Sequence, residues 1–72
     1  MELYQLRQFA AVAKYENMTR AAESLNVAQP AVSKTIRNLE SELGAELFER
    51  TGKGLRRTEQ GDILLRYART IL

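Results

Sequence analysis

The chain has 72 residues, of which 44% are hydrophobic and 28% are charged, and its formal net charge is +2 at pH 7. A chain of this length forms one domain and buries only about 60% of the surface that the unfolded chain exposes, so its stability is marginal. It contains no Cys and no His, which excludes a disulfide, a thiolate nucleophile, His acid/base catalysis and a zinc site with the usual ligands.

The N-terminal segment has neither the basic start nor the long apolar run of a signal peptide, and no stretch approaches about 18 consecutive apolar residues. We therefore expect a soluble, cytoplasmic domain without a membrane partner. The spacing GxxxxGK[ST] is absent around Gly52 and Gly54, so these glycines do not form a phosphate loop. No residue pattern indicates a metal ion or another cofactor.

The first predicted helix spans residues 3–15, where apolar residues recur at helical spacing. These residues are Leu3, Leu6, Phe9, Ala10 and Ala13. Glu2 stands next to the positive N-terminal end of the helix dipole, and Lys14 stands next to its negative end. We expect this helix to cover the following helices as a scaffold, with Tyr4 and Tyr15 packed along its edges.

Two helices joined by a short turn are predicted next. The first begins at Thr19, whose hydroxyl can cap the first turn, and ends at Asn26, which tolerates the left-handed conformation. Val27 is expected to fill the gap between the two helices. Pro30 presets φ for a first helical turn, so the second helix begins at about Gln29 or Pro30. Two helices joined by such a short turn form a helix-turn-helix arrangement.

The second helix of this pair has two distinct faces on a wheel of about 100° per residue. Its apolar stripe, which we expect to face the core, consists of Val32, Ile36, Leu39 and Leu43. Its polar side consists of Gln29, Ser33, Lys34, Arg37 and Ser41. The polar groups on this side can hydrogen-bond base edges and phosphates from a major groove. For the helix pair by itself, core packing without any nucleic acid remains the alternative.

The charges of the next two segments have opposite signs. Four acids and no base lie between Glu40 and Glu49, whereas four bases and no acid lie between Arg50 and Arg57. A polyanion would therefore approach the second segment and be repelled by the first.

A two-stranded hairpin is predicted after Gly44, a residue placed to end the long helix in the left-handed conformation. Leu47 and Phe48 are apolar, Thr51–Gly54 has the residues of a turn, and Leu55–Arg57 can pair back as a second strand. This hairpin, or wing, has a basic tip. The alternative is a solvated loop whose basic residues only keep the protein soluble.

A fourth helix is predicted from Thr58, its N-cap, to the end of the chain. Its apolar residues cover about twice the arc that one buried face needs. They are Ile63, Leu64, Leu65, Tyr67, Ala68, Ile71 and Leu72. One part of this arc can lie on the core, and we expect the remainder to face a second copy of the chain. The predicted dimer contacts are Leu64, Leu65, Ala68, Ile71 and Leu72. The alternative is a frayed apolar end.

Three blocks of the chain resemble the N-terminal domain of LysR-type transcriptional regulators, namely LRQFAAVA, TRAAESLNVAQPAVSKTIRNLESELGAELFER and TGKGLRRTEQG. The resemblance implies a mainly α winged helix-turn-helix with a three-helix core, a two-stranded wing and a C-terminal linker helix. It implies a DNA-binding domain over residues 1–57 and the start of a dimerisation helix over residues 58–72, without the effector domain of the family.

The resemblance also implies how double-stranded DNA would be bound. The second helix of the pair, at about residues 29–43, would enter the major groove, and the wing would reach the backbone or the minor groove. The expected DNA-binding residues are Thr19, Gln29, Pro30, Ser33, Lys34, Arg37, Arg50, Lys53 and Arg56. The chain departs from the family at Ala28, where Ser or Thr is usual, and at Arg57, where an apolar residue is usual. The linker helix implies a homodimer, and a higher oligomer in a full-length protein.

Two other functions are weighed against DNA binding. An enzyme is disfavoured because Ser24, Ser33 and Ser41 have no His to activate them, and because Glu40 and Glu42 lie on different faces of a helix. A protein-interaction module built on the same helices is the stronger rival. The salt dependence of binding discriminates the two, since phosphate contacts weaken steeply with salt and apolar contacts do not.

Overall fold

The computed structural model describes all residues from Met1 to Leu72 and contains four helices and one two-stranded sheet. The helices are α1 (Leu3–Tyr15), α2 (Met18–Leu25), α3 (Gln29–Leu43) and α4 (Glu59–Ile71), and the antiparallel strands are β1 (Phe48–Thr51) and β2 (Gly54–Arg57). The predicted mainly α fold with a two-stranded wing is confirmed. None of the helices combines the length and the hydropathy that a membrane span requires.

The N-terminal ends of α2 and α4 are capped by side chains. Thr58 Oγ1 accepts a hydrogen bond from Gly61 N at 3.1 Å, as predicted. At α2, however, the cap is Asn17, whose Oδ1 accepts from Arg20 N at 2.9 Å, and the helix begins at Met18. The prediction of Thr19 as the cap is therefore wrong. The extended backbone of Asn17 (φ −159°, ψ 120°) brings its amide to the free N–H group, whereas Thr19 already lies inside the first turn.

The ends of the helix pair follow local rules that the sequence carries. Asn26 and Gly44 are left-handed, with φ of 58° and 64°, and end α2 and α3 as predicted. The start of α3 at Gln29 is also confirmed, and Ala28 makes no side-chain capping bond. Glu16 ends α1 in the left-handed conformation, with φ of 52°. Glu rarely adopts this conformation unless its surroundings stabilise it.

The core lies between α1 and the other three helices, which all pack against α1. Its largest fully buried side chains are Phe9, Val12, Val32, Leu39 and Leu47. The rings of Phe9 and Phe48 lie with their centroids 5.4 Å apart, which joins α1 to the base of the wing. Val12 belongs to this core although it was not among the apolar positions predicted for α1.

Three side chains that were expected to be buried are exposed. Leu3 and Leu43, with 47% and 44% of their surface exposed, are the first residue of α1 and the last residue of α3. Val27 is 38% exposed and does not fill a gap between α2 and α3. Ala21 and Ala22 of α2 are instead buried in the core (0% and 2% exposed), so small side chains let the helices approach closely.

The wing is attached to the helices through its backbone. Leu55 N donates to Glu16 O at 3.3 Å, and Thr58 N donates to Leu47 O at 3.0 Å. Gly54 has φ of 127°, and a Cβ at this position would lie 3.1 Å from Glu16 O. Only glycine therefore allows β2 to approach the end of α1 in this conformation.

Arg57, the departure from the family pattern in the second strand of the wing, is held by polar contacts. Its Nε donates to Asp62 Oδ1 at 2.7 Å, and its Nη1 donates to Ala13 O at 2.9 Å. Ala13 lies in the last turn of α1, where carbonyl groups lack a partner within the helix. Arg57 therefore joins the base of the wing to the end of α1 and the start of α4.

The helix α4 turns a different part of its apolar arc to the core than we expected. Leu64, Leu65 and Ala68 are buried within the chain, with 8%, 7% and 0% of their surface exposed. Their prediction as dimer contacts is wrong because they already pack in the core with α1. The apolar side chains that remain on the surface of α4 are Ile63, Tyr67, Ile71 and Leu72.

Candidate nucleic-acid interface

The polar side of α3 is accessible along its first half. Gln29, Pro30, Lys34 and Arg37 are exposed, and Ser33 is half-buried. Gln29 Nε2 donates to Ser33 Oγ at 3.2 Å, one helical turn further along. This bond orients the amide and leaves its oxygen and its second N–H unused. An amide oriented in this way has the donor and the acceptor that match the edge of adenine in a major groove.

A central cleft of about 220 Å³ brings the start of α2, the start of α3 and the wing together. Thr19, Gln29 and Arg50 line it. These residues come from three separate elements, and all three were predicted to be in the site. The fold therefore places the first turn of α3 beside a guanidinium group of the wing.

A neighbouring cleft of about 260 Å³ lies further along α3. Ser33 and Arg37 line it together with Arg50, which therefore borders both clefts. Glu40 also lines this cleft, but one of its carboxylate oxygens accepts a hydrogen bond from Leu47 N at 2.8 Å. That bond holds Glu40 at the start of the wing segment, where it has a structural role.

The two faces of the wing carry different basic residues. The register pairs Arg50 with Leu55, and Glu49 with Arg56. Because successive residues of a strand point to opposite faces, Arg50 and Arg56 lie on opposite faces of the hairpin. Arg56 and Lys53 line a third cleft of about 750 Å³, the wing-tip cleft, which adjoins the central cleft but does not include Gln29.

The basic residues of this surface have no acidic partners. The two ion pairs of the chain join the N-terminal amino group to Glu42, with N and O 3.3 Å apart, and Arg57 to Asp62. The cations that were predicted to bind DNA therefore remain free to meet an external anion; they are Lys34, Arg37, Arg50, Lys53 and Arg56.

The structure does not gather every predicted residue in one place. Pro30 and Lys34 are exposed on α3 but line none of the three clefts. Conversely, Arg20 and Tyr15 line the wing-tip cleft but were not among the residues predicted from the sequence to bind DNA. Arg20 directly follows Thr19, a residue predicted to bind DNA, but the direction of the Arg20 side chain depends on the tertiary structure.

A short helix pair whose polar second helix carries its basic residues in the first half, together with a basic wing beside it, is typical of the DNA-binding domain of a winged helix-turn-helix transcriptional regulator. Residues 3–62 match the family model for bacterial regulatory helix-turn-helix proteins of the lysR family, and the chain belongs to this family.

Similar proteins agree with this assignment. The chain is 51% identical over 71 residues to the RuBisCO operon transcriptional regulator of Allochromatium vinosum. These 71 residues are 99% of this chain and 24% of that protein. The crystal structure of the CbnR DNA-binding domain in complex with DNA matches with a TM-score of 0.93 and 42% identity, over 99% of this chain and 82% of that one. The structure of the BenM DNA-binding domain with catB site 1 DNA also has a TM-score of 0.93, with 42% identity over 99% of this chain and 80% of that one. The chain spans about a quarter of the length of the curated relative from Allochromatium.

Proposed function

We propose that this chain binds double-stranded DNA in a sequence-specific way, as the DNA-binding domain of a transcriptional regulator that acts in the cytoplasm. The observation that carries this proposal is the convergence of Thr19, Gln29 and Arg50 on one cleft. This arrangement brings an amide that can read a base, a helix start and a basic wing within reach of one duplex.

The proposed roles follow from side-chain chemistry. Gln29, oriented by Ser33, reads a base edge in the major groove. Lys34 and Arg37 meet phosphates along α3, while Arg50 and Lys53 meet the backbone or a minor groove beside it. Thr19, Pro30 and Arg56 complete the proposed contact surface.

We expect base selection to depend on the amide of Gln29. Replacing Gln29 by Ala removes one bidentate base contact, which is worth about 1 to 3 kcal/mol against a wrong base. Selection of bound sequences from random DNA should then show a flattened preference at one or two positions. Gln60→Ala removes the same amide from the exposed start of α4 and serves as the control. A selection profile that is the same for both variants would refute the role of Gln29.

We expect the wing to contribute charge without sequence choice. Lys53→Gln should lower the slope of log affinity against log salt by about 0.9, the contribution of one phosphate contact, and leave the selected sequence unchanged. The slope is measured between about 50 and 200 mM salt. A binding constant of the unaltered chain that hardly changes with salt would favour the protein-interaction module over DNA binding.

We propose no catalytic role for Ser24 or Ser33. Ser24 donates its hydroxyl proton to Ala21 O at 2.7 Å, and Ser33 accepts from the Gln29 amide. Neither serine therefore contacts a group that could act as its base.

A homodimer formed through α4 is part of the proposed function. Ile63, Tyr67, Ile71 and Leu72 expose between 43% and 65% of their surface on this helix. Ile63, Tyr67 and Ile71 recur at intervals of four residues, so they form one stripe that a second α4 can cover. Two copies related by a two-fold axis would present two α3 helices to one duplex.

A further inference from the structure

The wing-tip cleft contains basic residues from two separate parts of the chain. Arg20 comes from the first turn of α2, whereas Lys53 and Arg56 come from the turn and second strand of the wing. Asn17 and Thr51 add polar groups to its lining, and one carboxylate, that of Glu16, also borders it. Three cations face one acid, so the cleft has a positive excess that suits a phosphate group.

The backbone fixes the width of this cleft. The hydrogen bond from Leu55 N to Glu16 O, 3.3 Å long, ties the wing to the turn between α1 and α2. Gly54 allows this close approach because a larger residue would crowd Glu16 O. Arg20 and the wing tip are therefore held on opposite sides of one opening by the fold itself.

Tyr15 stands beneath the guanidinium group of Arg20. The centre of that group, Cζ, lies 5.9 Å from the centroid of the Tyr15 ring. Lys14 Nζ lies 5.3 Å from the same centroid but lines a different cavity, on the side of α4. A cation within about 6 Å of an aromatic face is attracted to it, so the ring stabilises Arg20 in this direction.

We propose that the wing-tip cleft binds a backbone phosphate of DNA that flanks the sequence read by α3, with Arg20 as a contact and Tyr15 as the residue that positions it. This inference rests on the proposed function. The wing-tip cleft adjoins the central cleft, with which it shares Glu16, Asn17 and Leu55, but Gln29 does not line it. Arg56 borders it from the face of the hairpin opposite to Arg50. A phosphate bound there belongs to DNA beyond the base pairs that Gln29 contacts.

The test uses the chain of residues 1–72 and two duplexes that contain the same selected site, one with long flanks and one trimmed to the site. Arg20→Gln should lower the salt slope by about 0.9 on the long duplex and leave it unchanged on the trimmed one. The selected base preference should not change. Lys14→Gln is the matched control, since it removes a cation that also lies near the Tyr15 ring but does not line the wing-tip cleft.

The positioning role of Tyr15 is tested by a double-mutant cycle. Tyr15→Leu should lower affinity for the long duplex, and Tyr15→Phe, which keeps the ring, should restore it. In the Arg20→Gln background, Tyr15→Leu should have no further effect on binding. Thermal unfolding of each variant separates this result from a loss of fold, and an equal loss of affinity with and without Arg20 would overturn the role of Tyr15.

The two proposals fail in different ways. If the unaltered chain selects a sequence but Arg20→Gln and Lys14→Gln have the same slope on the long duplex, the flanking phosphate is refuted and DNA binding stands. An equal reduction on both duplexes also refutes it, because the phosphate would then lie within the site. If the unaltered chain shows no salt-dependent binding to either duplex, both proposals are overturned.

Discussion

Gly61 lies where the start of α4 packs against the backbone of the segment before β1. It is buried in the first turn of α4, and a Cβ at this position would collide with the backbone carbonyl of Leu47. Leu47 O also accepts the hydrogen bond from Thr58 N, and Thr58 Oγ1 donates to Glu46 O at 2.6 Å. The helix and the chain before β1 are therefore held in backbone contact, which leaves no room for a side chain.

We expect Gly61→Ala to lower the free energy of unfolding by about 1 to 3 kcal/mol, the usual cost of overpacking. A decrease would be informative, because replacing Gly by Ala within a helix otherwise raises the free energy of unfolding by about 1 kcal/mol. Chemical denaturation measures the change. Gly52→Ala is the control, since a Cβ there meets no atom within 4 Å. A Gly61→Ala variant as stable as the control would mean that α4 can move away from Leu47.

The helix α3 has a precise start but lacks a side-chain cap. Ala28 is extended (φ −72°, ψ 141°), the conformation of an N-cap residue, yet its methyl group accepts no hydrogen bond. Pro30 has no N–H, so this helix has one fewer free donor than usual. The Ala31 N–H remains the donor that a hydroxyl at position 28 would reach.

We expect Ala28→Ser to raise the free energy of unfolding by about 0.5 to 1 kcal/mol, in the lower part of the range for capping residues. The gain is at the lower end because Pro30 removes one donor and Ala31 N already donates to Ala28 O at 3.0 Å. The midpoint of thermal unfolding reports it. Ala31→Ser puts the same hydroxyl inside the exposed first turn and should give no gain; equal gains for both variants would show that capping is not the cause.

At the scale of the whole molecule, the helix α4 has two apolar faces, one buried and one exposed. Leu64, Leu65 and Ala68 complete the core, while Ile63, Tyr67 and Ile71 remain on the surface. A groove of about 240 Å³ extends this apolar surface towards Leu43 and Ala45 at the end of α3. Because Leu65 is buried, a charged residue at this position would destabilise the fold. The proposed dimer therefore has to be tested by substitutions in the exposed stripe of Ile63, Tyr67 and Ile71.

We expect Tyr67→Glu to weaken self-association, measured by sedimentation with and without a duplex that carries two half-sites. Because the stripe is exposed in the monomer, the variant should keep its unfolding midpoint within about 3 °C. Arg66→Glu changes the charge of the same helix by more and lies outside the stripe, so it should associate normally. Pairing would require half-sites about 34 Å apart or a multiple of that distance. Identical sedimentation of the two variants would exclude this stripe as the dimer contact.

The sequence by itself determined the local features of the fold. Pro30 and Gly44 set the limits of α3, and the residues of the turn from Thr51 to Gly54 predicted the hairpin, because each acts through the backbone angles of a few neighbours. The periodicity of apolar residues likewise predicted that Val32, Ile36 and Leu39 share a buried face. These are short-range properties that do not depend on the rest of the molecule.

Only the tertiary structure decided which part of each face is covered and which side chains meet. Helical spacing placed Leu65 and Tyr67 on one broad arc, but the position of α1 determined that Leu65 is buried and Tyr67 is exposed. Likewise, Arg20 joins the wing-tip cleft only because Leu55 bonds to Glu16 O and brings the wing beside α2. Contacts of this kind join residues far apart in the chain, and no local pattern encodes their geometry.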